Sequence, residues 1–433
     1  MVYKCPWMTL VLTSVDFEGG VDRGLRVLSN LRKLGASASR WNHEELVAFR
    51  VVKCAASWHK RFLPPLRYNH KRSCPICLPE SSKSQKVDLD MIAHLRESFP
   101  RLRTASESSL CDLPAGRFLL ALAKLIRSDV RDPMREYPAR EGAGDKPADP
   151  GFVPSTTIPF PESSSPAGAS PSEYCGSHAS VTLDDDQNES RARKPELLVA
   201  ELAKELFYLS LYLVLKQSHP EEEFCFRPES HSSTALIAFQ AFVGADDGGL
   251  CKKSLESGSW IVVHPSLMVG ECKPASQALF YDNRTERYFP VLTIKAFAQV
   301  VGEAVATWKQ YNDTELFPAG LYSYVCNGTF IRFFHFDFGS HYAEYLNATT
   351  ANEQLDVVRN HPEETCIRVS STKWLDLENN QDVLLSICHI LTRLRVEEGE
   401  ASDLSEEDHE ADRQLAATPE RMDVSSGSDG FDV

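Results

Sequence analysis

Between Lys194 and Asn347 the apolar residues alternate between helical and strand spacing in a set order, and that order restricts what the chain can become. Leu197, Leu198, Leu202, Leu206, Phe207, Leu209, Leu213 and Val214 follow Pro195 with the spacing of a long, largely buried helix. After a loop rich in Glu, Pro and Ser, Thr234 to Val243 alternates as one strand, closed by Gly244-Ala-Asp-Asp-Gly-Gly249. Ile261 to Val263 and Met268 to Cys272 read as a short strand pair joined by a His264-Pro265-Ser266 turn. A helix over Val291 to Tyr311 follows, stopping near Pro318. Strands at Leu321 to Val325 and Phe330 to Phe338 come next, with Asn327-Gly328 as the hairpin signal between them. The expected fold class is α/β, a mixed sheet flanked by helices.

The rest of the chain reads differently. Residues 1–130 carry helical patches at Val21 to Leu34, His43 to Leu63, Asp88 to Phe99 and Ala115 to Ile126, so a helical region or appendage is expected there. Residues 131–193 shift to Pro, Ser, Gly and Asp, a composition that buries too little apolar surface to offset ordering entropy, and they read as a disordered linker. The α/β core is expected over 194–395 and a disordered acidic tail over 396–433.

The net charge of −15 argues against a protein that coats nucleic acid uniformly. Charge is unevenly placed, however. Residues 1–110 hold 18 Lys/Arg against 10 Asp/Glu, whereas 396–433 hold 2 against 13. A basic amino-terminal part can track phosphates, or simply balance the acidic tail. The patch from Pro6 to Leu12 has only Lys4 before it and no small-residue cleavage site, and no apolar run reaches a membrane span. The 12 cysteines are scattered, with Cys225, Cys251, Cys272 and Cys326 in or beside core segments, as small buried hydrophobes. The expectation is an intracellular protein of cytoplasm or nucleus, without membrane association.

The chemistry concentrates at Trp260-Ile-Val-Val-His-Pro-Ser-Leu-Met-Val-Gly-Glu-Cys-Lys-Pro274. Side chains two apart on a strand share a face, so Glu271 and Lys273 project together while Cys272 points away. Pro274 ends the strand because it cannot donate to a ladder. Phosphodiester cleavage with Mg²⁺ needs carboxylate oxygens for the ion and a cation near the developing charge. Glu271 is the candidate metal ligand and Lys273 its cationic partner.

This order, an apolar strand ending in Glu-x-Lys before an amphipathic helix, resembles the restriction-endonuclease-like PD-(D/E)xK fold over roughly 194–347. Trp260 to Lys273, with Gly320-Leu-Tyr-Ser-Tyr-Val-Cys-Asn-Gly-Thr-Phe-Ile-Arg-Phe-Phe-His-Phe-Asp-Phe-Gly339, is similar to the segment that precedes the kinase domain in fungal-type protein kinases. The resemblance implies a fungal origin and a nuclease-like core. Two departures limit it. No Gly-rich loop, Val-Ala-Ile-Lys or His-Arg-Asp follows Asn347, and Asp337-Phe338-Gly339 ends a strand before any kinase lobe, so kinase activity is not implied. A working nuclease of this fold also needs an acid on the strand before Glu-x-Lys, and that strand offers Gln240, an uncharged amide. Asp246 or Asp247 can take the role, although both lie in a Gly-rich turn and also suit turn formation. Glu201 or Glu205 on the preceding helix, and Gln299 one turn from Glu303, are further candidate helpers.

Elsewhere, Cys74-Pro-Ile-Cys77 with His70 nearby has zinc-knuckle spacing, but Cys54, His59 and Cys111 form no second pair. His335 and Asp337 share a strand face. The sequence thus leads to a nuclease-like module whose catalytic set has decayed and which serves interaction or nucleic-acid association. The alternatives are an active Mg²⁺-dependent nuclease, or a regulatory protein that pairs with a separate protein kinase.

Overall fold

A computed structural model describes residues 27–31, 37–54, 88–127, 196–213, 221–274, 279–282, 287–311, 316–318 and 320–397, with residues 62, 63, 65–67, 70, 74 and 76 between the second and third of these. The linker read over 131–193 and nearly all of the acidic tail lie outside the described residues.

Helices α1 (His43–Ala48), α2 (Leu89–Ser98), α3 (Glu107–Cys111) and α4 (Gly116–Ile126) precede α5 (Glu196–Tyr212), with β1 (Val51–Lys53) after α1. Then come β2 (Glu222–Arg227), β3 (Ser232–Ile237), β4 (Gln240–Ala245), β5 (Gly249–Glu256), β6 (Ser259–Lys273), β7 (Leu279–Asp282), β8 (Arg287–Pro290) and α6 (Ile294–Gln310). The chain continues through β9 (Leu321–Asn327), β10 (Phe330–Phe338), α7 (Tyr342–Asn347), α8 (Ala351–Asn360), β11 (Ile367–Ser371), β12 (Leu375–Asp376) and α9 (Asn380–Glu397).

Eight strands form one mixed sheet in the order β1-β11-β10-β9-β6-β5-β2, with β12 also on β10. The pairs β6/β9 and β1/β11 are parallel and the others antiparallel. Strands β6 and β9 are joined through α6, because parallel neighbours need a crossover long enough to return the chain to the same end. Alternation along the strands sends residues to two separate cores. Tyr324, Cys326, Ile331 and Phe333 pack with α4, α5 and α9 on one face, and Val269, Val325, Phe334 and Phe336 pack with α1, α6 and α7 on the other. The molecule is therefore a large mixed sheet flanked by helices, and among its described residues no helix is long and apolar enough to cross a membrane.

Three local readings change. The run from Thr234 to Val243 is a hairpin, β3 and β4, that forms its own two-stranded sheet. Its turn residues Ala238 and Phe239 take positive φ values of 46° and 62° without glycine, which hid the turn from composition. Gln240 therefore opens β4 opposite Ile237, with its side chain exposed. The Ile261 to Cys272 region is one strand, β6, whose partner is β5, and their turn lies at Ser257-Gly258, with φ values of 51° and 82°. Pro265 sits where the β5/β6 register slips, at the position where a missing ladder donor does least harm.

The third change concerns the amino-terminal region, which is no appendage. The helix expected over His43 to Leu63 stops at Ala48, Arg50 takes φ 55°, and β1 adds to the main sheet beside β11. Arg50 is held there by bonds from its guanidinium to the carbonyls of Thr365 and Pro362, at 3.1 and 2.8 Å.

Candidate functional site

The site forms at the carboxyl end of β6, where the parallel β6/β9 pair meets the start of β5. Glu271 and Lys273 pair with Val325 and Asn327 of β9. Asp247 lies just before β5, and three hydrogen bonds fix this corner. The Asp247 N–H donates to the Gly270 carbonyl at 2.9 Å, the Gly270 N–H donates to the Gly248 carbonyl at 2.9 Å, and the Cys272 N–H donates to Asp247 Oδ2 at 2.9 Å. Gly270 is required for a packing reason: a Cβ there would lie 2.0 Å from the Tyr324 ring. The glycine lets that ring lie against the strand, one residue from Glu271.

Glu271 is buried, at 2% exposure. Its Oε1 receives the Lys273 ammonium in a close ion pair, and the Gln299 amide at 2.8 Å. The same Gln299 nitrogen donates to Glu303 Oε1 at 2.9 Å. Both residues come from one face of α6, spaced four apart. The other oxygen, Glu271 Oε2, is buried and meets no N–H or hydroxyl donor, while the Glu271 carboxyl also shares a hydrogen bond with that of Glu303. A buried acceptor without a donor costs about 1–3 kcal/mol, or more for a charged group, unless a proton or a cation reaches it.

Electrostatics follow from this burial. Desolvation, reinforced by the Asp247 charge and opposed by Lys273, pushes Glu271 up to about 7. Burial and then the Glu271 charge hold Glu303 well above the usual carboxylate range, which favours its protonated form. Asp247 is raised by burial, against the Cys272 N–H bond and the Lys273 charge. For Lys273 burial disfavours the ammonium, yet Glu271, Glu196 and Asp247 outweigh it and the pKa rises. At pH 7 the site thus holds a fixed cation and a glutamate poised between its two protonation states, with the raised Asp247 beside them.

The two adjacent aspartates have separate roles. Asp246 is 4% exposed and its oxygens are occupied by the Arg227 guanidinium at 2.8 and 3.0 Å, and by the His231 and Gly248 N–H groups, each at 3.0 Å. It holds the loop, while Asp247 accepts from the Cys272 N–H and its charge acts on Glu271. Gln240, expected where the second acid belongs, is on the separate hairpin. Glu201 and Glu205 are engaged with Lys204, and Glu205 with Arg117 as well. His335 is buried against Tyr322, with ring centroids 4.7 Å apart, and Asp337 pairs with Arg368 at 3.7 Å, so these two do not form a joint site.

The oxygens of Asp247 and Glu271 are hard donors of the kind Mg²⁺ prefers, and the orphaned Oε2 fits a cation. Gln299 was legible as a helper from its helical position. Glu196, which acts on Lys273 from the start of α5, was not, because nothing in the sequence ties that helix start to the end of β6. Comparison with protein-family models, curated proteins and solved structures finds no match to this chain.

Proposed function

We propose that the chain is a divalent-cation-dependent phosphodiesterase of nuclease type, carried on a restriction-endonuclease-like core. What supports the core is the order of α5, the β5/β6 hairpin, the α6 crossover and parallel β9, with the acid before β5 and Glu-x-Lys at the end of β6. The observation that carries the activity is that the Asp247 charge acts on the buried Glu271 carboxyl, one of whose oxygens meets no N–H or hydroxyl donor. The reason for expecting a decayed site was Gln240; in this reading Asp247 supplies the acid in its place.

In this reading Asp247 and Glu271 hold Mg²⁺, which supplies Lewis acidity toward a phosphoryl oxygen and a more acidic water. The chain's own groups do the rest. Gln299 fixes Glu271 through Oε1 and leaves Oε2 unengaged by the helix amide. Lys273, its pKa raised, remains an ammonium and stabilises negative charge developing on phosphate; it is not a base. Burial favours the proton on Glu303, which limits a second charge beside Glu271. Nucleic acid is the substrate class, favoured by the excess of Lys/Arg over residues 1–110.

The second reading, an interaction module, draws on the Lys273–Glu271 contact, which can be a self-contained structural pair. The deciding experiment is cleavage of single- and double-stranded DNA and RNA by the full chain with Mg²⁺ or Mn²⁺, beside Asp247→Asn and Lys273→Ala. Cleavage lowered about 100-fold or more in both variants supports the enzyme. A folded wild-type chain that cuts none of these substrates returns the site to the interaction module. A role beside a separate kinase chain rests on resemblance alone.

A further inference from the structure

On the face of the sheet opposite Glu271, a second group of ligand-type side chains comes together from distant parts of the chain. The Cys74 N–H donates to the His70 carbonyl at 3.2 Å, an i to i+4 bond that places both side chains on one side of a helical turn. Cys388 meets them from α9, 314 residues away, with its sulfur 3.5 Å from that of Cys74. One nitrogen of His70 and the two sulfurs all lie within 4.8 Å of one another.

That spacing suits a shared ion. With metal–sulfur bonds of about 2.3 Å, two thiolates on a tetrahedral zinc ion stand about 3.8 Å apart, whereas a disulfide needs about 2.05 Å. The observed 3.5 Å falls near the first value. Cys74 and Cys388 are buried, at 0% and 2% exposure, and His70 is half-buried, the arrangement of a structural centre rather than a solvent-open one.

The surroundings fix the histidine. Its ring lies 4.2 Å from Phe62, which in turn stacks at 3.8 Å on His389. His389 cannot itself be a ligand, because both nitrogens are committed: Nε2 accepts from the Leu63 N–H at 3.2 Å and Nδ1 donates to the Leu385 carbonyl at 2.8 Å. Of the candidates weighed from sequence, Cys54 donates its N–H to Val369 at the edge of the sheet, and Cys111 is exposed on α3. Cys77 and His59 lie outside the described residues. A second trio, His341, His361 and Glu364, is less suited: each histidine Nδ1 is already bonded at 3.0 Å to a glutamate three residues on, at the surface.

We propose that His70, Cys74 and Cys388 supply three of the four ligands of a tetrahedral zinc ion that clamps His70 and Cys74 onto α9. The ligands are soft and nitrogenous, so this centre selects zinc, while the oxygen-lined site at Glu271 selects Mg²⁺ or Mn²⁺. It does not depend on the phosphodiesterase reading.

The test is zinc content of the full chain, isolated without added metal or chelator and then treated with a strong zinc chelator. The expected result is about one zinc per chain, release on chelation with a lowered Tm, and recovery of both on adding zinc alone. Cobalt added in place of zinc should give the visible bands of a tetrahedral site with sulfur charge transfer. Cys388→Ser and His70→Ala should each weaken zinc retention at least about tenfold, and Cys326→Ser should not. Should Cys388→Ser fail to fold, the cobalt spectrum and the chelation cycle on wild type still decide. A folded wild-type chain that holds no zinc, gains none, and shows no tetrahedral cobalt spectrum overturns the proposal, as does a Cys74–Cys388 disulfide.

Discussion

Glu271→Gln should change how stability depends on pH more than it changes stability itself. In the folded chain the Glu271 carboxyl is pushed up to about 7, from an ordinary value of 4.5. The folded state therefore binds this proton more tightly than the unfolded state. Its stabilising effect is fully present below pH 4.5, is lost as pH rises through 7, and is gone above pH 8. The difference corresponds to about 3 kcal/mol of stability lost across that window. Glutamine cannot ionise, so the variant should lack this slope. Groups remote from Glu271 cancel in the comparison, and the neighbouring Glu303 is raised mainly by burial, which the substitution leaves in place. The assay is urea unfolding at pH 4.5, 6, 7 and 8, wild type against Glu271→Gln, without divalent cation. The variant should gain about 3 kcal/mol relative to wild type between pH 4.5 and 8. Parallel stability curves would show that burial does not hold the Glu271 proton, and the electrostatic description of the site would fail with it.

Two packing tests and one electrostatic test accompany it. Gly270→Ala puts a Cβ 2.0 Å from the Tyr324 ring, and chemical denaturation should show a loss of about 3 kcal/mol or more, since that ring has no free space to retreat into. Phe207→Ala removes a ring packed against Phe226 and Tyr324, at 5.2 and 4.7 Å, and should cost about 3–5 kcal/mol in the same assay. Asp246→Ala leaves Arg227 without its buried partner and should cost about 3–5 kcal/mol. By contrast, Asp247→Asn should leave the urea midpoint within about 1 kcal/mol of wild type, which separates the loop-holding acid from the site-facing one.

How much of this was legible depends on where the signal lay. Helix α6 and strand β10 appear at nearly their read positions because long apolar periodicity, the Thr293 cap and the Asn327-Gly328 turn all agree. Glu271 and Lys273 share a face by strand alternation alone. Gln240 was read on the strand before Glu-x-Lys, not on a separate hairpin, because the β3/β4 turn uses Ala238 and Phe239 at positive φ, residues that carry no turn signature. Once that run is one hairpin, Asp247 falls naturally at the start of β5. Strand β5 itself was hidden by Lys252, Lys253 and Ser254, which break apolar alternation on a strand whose far half is solvated. Cys388 was invisible for a different reason: it sits in an amphipathic helix, and only the tertiary fold brings it to Cys74.

The central claim, that Asp247 and Glu271 together make a cation site, is tested most directly by Mn²⁺ binding to the zinc-saturated full chain at pH 8, read by calorimetry. The account predicts one Mn²⁺ per wild-type chain, lost in Asp247→Asn and in Glu271→Gln, unchanged in Gln240→Ala, and weakened as pH falls below about 7 and protons compete for Glu271. A folded wild-type chain that binds no Mn²⁺, or variants that bind it as wild type does, would contradict it.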